Sequence, residues 1–362
     1  MAVDLSVLLK TMVEHKASDL HIRSDNPAYI RINGDVKPLE GSRMTAAEVE
    51  AVAEACMDSR TRRIFAEQLQ VDFSIDGKTY GRFRFNVFRQ RSKINISVRH
   101  IPNKIPTMES LNLPAEVFKK IAEKERGLVL VTGITGSGKS STLASMIDHI
   151  NGSMEKHIIT IEDPIEYVHV DKKSILSQRE IGADATDFVT ALTASMRQDP
   201  DVILLGEMRD LETMHAAITA AETGHLVFAT VHTLNATQTL SRIVDMFPPH
   251  QQTQIRLQLA DTLVAIISQR LLAARQGGRI PAIEVLVKTP HIQKLVEENK
   301  LSDITMAIQK GAYYGMKTFN QSMVELHQQG LVDLNEILAA ASNPDDVMLS
   351  VRGIEADVNS TK

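Results

Sequence analysis

The chain has 362 residues, of which 43% are hydrophobic and 23% charged, with a formal net charge of −5 at pH 7. At ~150 residues per domain that is room for two buried cores, and the acidic balance, with aromatics at 4% and no Trp, argues against a dedicated nucleic-acid binder. Cys56 is the only cysteine, which excludes an internal disulfide and a four-cysteine zinc site.

Residues 1–10 lack the cationic segment and apolar run of a signal peptide. Leu5, Leu8, Leu9, Met12 and Val13 recur at helical spacing. Strands are expected at residues 19–22 and 29–32, with Asn33-Gly34 as a hairpin turn. Thr45 and Glu48 form a capping box for a helix running to about Met57. Val71, Phe73 and Ile75 alternate with polar residues, Asp76-Gly77 turns, and another strand begins near Tyr80. Within residues 81–99, Phe83, Phe85 and Val87 alternate with Arg82, Arg84 and Asn86, and Ile94, Ile96 and Val98 alternate with Asn95, Ser97 and Arg99. If those two strands share a sheet, Arg84 and Arg99 face away from the core. Residues 1–105 therefore read as a small α+β domain, and Pro102, Pro106 and Pro114 mark a linker over residues 106–114.

Beyond it the pattern changes. Residues 128–131, 158–161, 202–205 and 226–231 are short, nearly continuous apolar runs separated by helical patterns. That is the signature of a buried parallel sheet built from βαβ units, here over residues 115–280. The apolar stretch 263–274 is broken by Ser268, Gln269 and Arg270 and falls short of the ~20 residues needed to span a bilayer. Residues 281–362 read as mostly helical, with a polar, frayed tail after Arg352.

Gly133-Ile134-Thr135-Gly136-Ser137-Gly138-Lys139-Ser140 fits G-x4-G-K-[ST] after an apolar strand and before a helix. Gly133, Gly136 and Gly138 free the backbone N–H groups, including those of Thr135 and Ser137, to face phosphates. The helix N-terminus adds a favourable dipole. Lys139 is expected to reach the β- and γ-phosphates and Ser140 to ligate Mg²⁺, with Ser141 beside it. Carboxylates at strand ends complete the chemistry. Glu207, the first after residues 202–205, is the candidate for polarising the attacking water. Glu162 is the candidate for holding Mg²⁺ through water. Asp163, before Pro164, is either a further ligand or a turn cap. His225 and His232 bracket the strand 226–231; His232 is a candidate reader of the γ-phosphate and His225 a candidate nucleotide contact.

Residues 133–142, 160–166, 203–210 and 223–233 resemble, in order and spacing, the Walker A, Asp box, Walker B and His box of the secretion ATPase superfamily. Gly206, where a generic Walker B strand carries Asp, is normal in that superfamily. Ala17-Ser18-Asp19-Leu20-His21, residues 82–91 and Gly315-Met316-Lys317-Thr318 are similar to its PilT-like branch, the type IV pilus retraction motors of twitching motility. The resemblance implies an α/β fold: a RecA-like P-loop ATPase domain with a smaller α+β PAS-like N-terminal domain and a helical C-terminal region. It implies ATP and Mg²⁺ as ligands, at the interface between domains and subunits of a homohexamer. The partner it implies is the inner-membrane type IV pilus platform protein. The place is the cytoplasm, peripheral to the inner membrane without direct insertion, and no nucleic acid is involved. In related ATPases two N-domain arginines fifteen residues apart approach the phosphates; Arg84 and Arg99 have that spacing (99 − 84 = 15). Where that branch carries an Ala-Ile-Arg-Asn-Leu-Ile-Arg-Glu segment after a Thr-Pro, this chain has Thr289-Pro290 followed by His291-Ile292-Gln293-Lys294-Leu295-Val296-Glu297-Glu298. Three alternatives stay open: an extension or type II secretion ATPase, an accessory retraction homologue, and a nucleotide-dependent regulator without turnover.

Overall fold

The computed structural model describes residues 4–352 apart from 33, 42, 78–79 and 102–103. Asn33 of the expected hairpin turn, Pro102 of the expected linker and the tail after Arg352 lie outside the described residues. The chain divides into two compact units, Met1–Lys104 and Ile105–Lys362.

In the first unit, helix α1 (Leu5–Glu14), capped by the Asp4 side chain, precedes strands β1 (Asp19–Arg23), β2 (Tyr29–Ile32) and β3 (Asp35–Pro38). Helix α2 (Ala46–Cys56) opens with the Thr45–Glu48 capping box, both halves of which form. Helix α3 (Ser59–Gln68) follows at once, then strands β4 (Gln70–Asp76), β5 (Arg82–Gln90) and β6 (Lys93–Ile101). The strands form an antiparallel sheet in the order β3-β2-β1-β6-β5-β4. Alternation decides its two faces: Phe83, Phe85, Val87, Ile96 and Val98 enter a core with Leu8, Met12 and Val49, and the residues between them face outward.

The second unit begins with helix α4 (Ala115–Ala122) and strand β7 (Gly127–Thr132), buried at every residue. Helix α5 (Lys139–Ser153), strands β8 (His157–Glu162) and β9 (Ile175–Glu180), helix α6 (Phe188–Ser195) and strand β10 (Val202–Leu205) follow. Then come α7 (Leu211–Glu222), β11 (Leu226–Val231), α8 (Ala236–Asp245), α9 (Pro249–Thr262), β12 (Leu263–Ala273) and β13 (Arg279–Val287). The sheet order is β13-β12-β7-β11-β10-β8-β9, parallel except for the edge strand β13. Helices cover both faces: α4 and α5 pack on one, and α6 to α9 on the other with α10 (Pro290–Glu297) and α11 (Ile304–Lys310). Helices α12 (Phe319–Gln328), α13 (Leu334–Ala340) and α14 (Pro344–Val351) build a separate small core against β12 and β13. Burial on both faces explains why these strands read as continuous apolar runs.

Two boundaries differ from the sequence reading. Residues 106–114 are no free linker, because Met108 and Leu113 are buried in one core with Phe118. The helical reading from residue 281 is also corrected: residues 279–287 are β13, paired antiparallel with β12 along nine register positions. A short apolar run buried on both sides carries no period that separates strand from helix.

Candidate functional site

The loop between β7 and α5 is shaped by backbone that only glycine accepts without strain. Gly133 has φ +147°, and a Cβ there would meet Ser137 Oγ at 2.4 Å and the Gln269 carbonyl at 2.5 Å. Gly138, with φ +94°, turns the chain into α5 and occupies its N-cap, so no side chain caps the first amides. Uncapped amides at a helix N-terminus are a ready anion site. The buried Ser137 hydroxyl has no protein partner there. The Lys139 ammonium donates to the carbonyls of Gly133 (2.9 Å) and Ile134 (3.0 Å). Burial pulls its pKa down, and the nearby Glu207 carboxylate partly restores it. Thr135 and Ser140 are exposed on the rim, while Ser141 shares a 2.7 Å hydrogen bond with the Tyr167 hydroxyl.

Glu162 ends β8, and its carboxylate accepts from Thr160 Oγ1 (2.7 Å) and Gln178 Nε2 (3.2 Å). Desolvation raises its pKa against those bonds. It lines a small cavity with Ser140, Tyr167, His169 and Gly206. Gly206 has a reason to be glycine: a Cβ there would lie 3.3 Å from the Glu162 Cα. The carboxylate of this strand is thereby displaced one residue, to Glu207. Glu207, 12% exposed at its side chain, is held by Arg209 Nε at 2.6 Å and by His232 Nε2 at 3.4 Å. Asp163 is exposed beside it and lines a pocket with Glu207, Arg209, Asp187 and Asp210.

Lys139, Ser140, Glu162, Glu207 and His232 thus gather at the carboxyl ends of β7, β8, β10 and β11. His225 does not join them. It precedes Leu226, whose register partner is Gly127 at the start of β7, so it sits at the opposite end of the sheet. Its Nδ1 is instead engaged by the Ala220 carbonyl (2.9 Å) and Thr223 Oγ1 (3.3 Å) at the end of α7. The direct nucleotide contact expected of His225 is therefore corrected to a structural one within this subunit.

Three residues were missed. Arg209 holds Glu207. Gln178 holds Glu162. Gln269 braces the loop, its carbonyl against Gly133 and its amide donating to Thr142 Oγ1 at 2.7 Å. For Gln269 the polar break at Ser268, Gln269 and Arg270 was the readable signal: Ser268 pairs in register with Thr132, at the β7 end that feeds the loop.

In the first unit, Arg84 and Arg99 are direct register partners on β5 and β6. Like charges directly opposite are unfavourable, and carboxylates flank them. Asp72 lies 3.6 Å from Arg84, and Asp19 lies 2.9 Å from Arg99. Asp19, Asp72, Arg84, Asn86, Ser97 and Arg99 line a shallow outward pocket.

Residues 2–339 match the family described as type II/IV secretion system protein. The type IV pilus retractation ATPase PilT of Pseudomonas aeruginosa is 43% identical over 344 residues, covering 95% of this chain and 100% of that one. The type IV pilus ATPase PilU of the same organism is 39% identical over 359 residues, covering 99% of this chain and 94% of that one. Among solved structures, the pilus retraction motor PilT with bound ADP matches at TM-score 0.90 and 45% identity, over 95% of this chain and 98% of that one. The Legionella pneumophila ATPase DotB matches at TM-score 0.76 and 25% identity, over 94% and 98%.

Proposed function

The chain belongs to the type II/IV secretion system protein family, and from that premise we propose that it is a Mg-ATP-hydrolysing motor of the pilus-retraction kind. One observation carries the reading: a glycine-shaped phosphate loop with its buried Lys139 and a strand-end glutamate, Glu207, held by Arg209 at 2.6 Å, stand together at the carboxyl ends of one parallel sheet. The full-length similarity to retraction motors selects the mechanical task. Ile105–Lys362 supplies the RecA-like ATPase core, and the smaller first unit is read as PAS-like.

Phosphoryl transfer to water asks for positioning and charge neutralisation rather than covalent catalysis. The amides of Gly136, Gly138 and Lys139, with the Ser137 hydroxyl, fit phosphate oxygens, while the Ser137 amide closes the loop on the Ile134 carbonyl at 3.2 Å. Lys139 exchanges the carbonyls of Gly133 and Ile134 for the β- and γ-phosphates. The Ser140 hydroxyl and, through water, the Glu162 carboxylate are hard oxygen donors suited to magnesium, which when bound offsets the phosphate charge. Glu207, fixed by Arg209 and His232, orients the attacking water and takes its proton. Arg84 and Arg99 are assigned to the phosphates in an assembled homohexamer, where they balance the charge that develops in the transition state.

No helix among the described residues is long and apolar enough to cross a membrane. Its place is taken to be the cytoplasm, where the ring pulls on the inner-membrane platform of a type IV pilus. A strain lacking the chain is expected to be hyperpiliated and unable to retract; bald cells would make it an extension ATPase instead. The segment after Thr289 favours one second reading, an accessory retraction motor. In α10 the apolar Ile292, Leu295 and Val296 are buried, and Gln293 and Glu297, at the two positions where the PilT-like branch carries arginine, are half-buried and joined by a 3.0 Å hydrogen bond. Restoring arginine at Gln293 and Glu297 and scoring retraction in a strain that lacks the principal motor separates the two.

A further inference from the structure

Ala17-Ser18-Asp19-Leu20-His21 carries no role in the chemistry above, yet it places one buried carboxylate against an assigned arginine. Asp19 is 9% exposed on the otherwise polar outer face of the first sheet. Its register partners are Arg31 on β2 and Arg99 on β6. Its Oδ1 accepts from Arg99 Nε at 2.9 Å, and its Oδ2 lies 3.8 Å from Arg31 Nε and accepts from Ser18 Oγ at 2.8 Å. Every oxygen of the carboxylate is thereby committed. Arg99 itself is 61% exposed at its side chain. Its Nε is fixed at the base of the guanidinium, and the two terminal nitrogens of the fork extend beyond that contact. A long exposed arginine ordinarily loses rotamer freedom when it is ordered; here the ordering is done in advance by a carboxylate that stays put.

Arg84, directly opposite, is held differently. Its partner Asp72 is 53% exposed, 3.6 Å away, and is itself tied to Asn86 at 3.0 Å. The two arginines thus stand side by side with unequal anchors. Three guanidiniums (Arg31, Arg84, Arg99) meet two carboxylates (Asp19, Asp72), so the face keeps an excess positive charge suited to an anion. Burial, with Arg31 and Arg99 acting in the same sense, lowers the His21 pKa against the pull of Asp19.

We propose that Asp19 is a positioning residue: its buried carboxylate, clamped between Arg31 and Arg99, sets the direction in which Arg99 presents its guanidinium to the nucleotide phosphates. The proposal rests on the assignment of Arg99 to those phosphates. It takes Asp19 out of the reaction itself and makes its whole effect pass through Arg99.

The test is a double-mutant cycle on the full-length protein, measuring steady-state Mg-ATP hydrolysis. Asp19→Asn is expected to lower kcat about 10- to 100-fold, the scale of a misplaced catalytic group, with KM for ATP changed little. Arg99→Gln is expected to lower it further, and Asp19→Asn/Arg99→Gln to match Arg99→Gln alone. Asp19→Glu, which keeps the charge but shifts it by one methylene, should recover part of the loss. Should Asp19→Asn fail to fold, Ser18→Ala carries the same test, since Ser18 is exposed and donates to the same carboxylate. It should lower kcat about two- to fivefold, one hydrogen bond's worth, in the Arg99 protein and leave it unchanged in Arg99→Gln. Losses that multiply in the double variant, or full turnover of folded Asp19→Asn beside an impaired Arg99→Gln, overturn the proposal. Full turnover of Arg99→Gln itself overturns the assignment of Arg99, and the proposal with it.

Discussion

The phosphate loop of the second unit and the arginine face of the first hold their groups by different means. Around Gly133 to Ser140 the backbone does the holding. A buried strand feeds the loop, glycines accept φ angles that other residues resist, and Ser137 of the loop with Gln269 of β12 leaves no room for a Cβ at Gly133. On the first sheet the backbone is regular, and ion pairs between side chains do the holding. A backbone-built site arrives with the fold; a side-chain-built site can be retuned one residue at a time. Loss of a group should therefore act on turnover alone on the arginine face and on both stability and binding in the phosphate loop.

The largest expected effect tests the first half of that contrast. Arg84→Gln should lower ATP turnover about 10³–10⁵-fold, as for loss of an arginine finger. Its unfolding free energy should change by no more than ~1 kcal/mol, the range of an exposed ion pair. A denaturant titration beside the kinetics checks both, and a purely structural arginine would leave turnover intact. The second half is sharpened by Gly133→Ala. Strain and the collision with Ser137 and Gln269 should cost about 1–3 kcal/mol of stability and remove ATP binding with it; wild-type affinity at normal stability would break the contrast.

The smallest expected effect is one of opposite signs. Glu162→Gln keeps an Oε1 that accepts from Thr160 and Gln178, puts one further bond, from the Glu166 backbone N–H, at stake, and removes a charge that burial disfavours. Turnover should fall while the melting temperature rises by about 2–4 °C, the shift that ~1 kcal/mol gives in a unit of this size. The pH dependence follows from the sign of the shift. Folding raises this carboxyl's pKa, so its protonated form is favoured and its contribution to stability is lost as pH rises through the shifted value. The gap in melting temperature between variant and wild type should widen from acid to neutral pH, and a constant gap would contradict the burial argument.

The same contrast governs what could be read in the sequence. The phosphate loop was legible because its backbone demands glycine at fixed spacing. The faces of β5 and β6 were legible because a half-buried strand alternates strictly. Strands β9, β12 and β13 were not. The first is a polar edge strand, and the other two are apolar runs whose period does not distinguish strand from buried helix. Helix α3, with three arginines and a glutamate in ten residues, has too little apolar surface to announce itself. Arg209 lay within the quoted strand-end segment, but only the chain's path around Gly206 brings its guanidinium onto Glu207. His225 misled because two histidines flanking one strand look alike in sequence, although they stand at opposite ends of a sheet.

The central claim is that Glu207 turns a nucleotide-binding loop into a hydrolytic one. It is tested most directly by measuring ATP binding and steady-state hydrolysis of the full-length Glu207→Gln protein against wild type. The account predicts ATP affinity within about twofold and turnover reduced by ~10²–10⁴, the share of a general base. Wild-type turnover in a variant that binds ATP normally would contradict it.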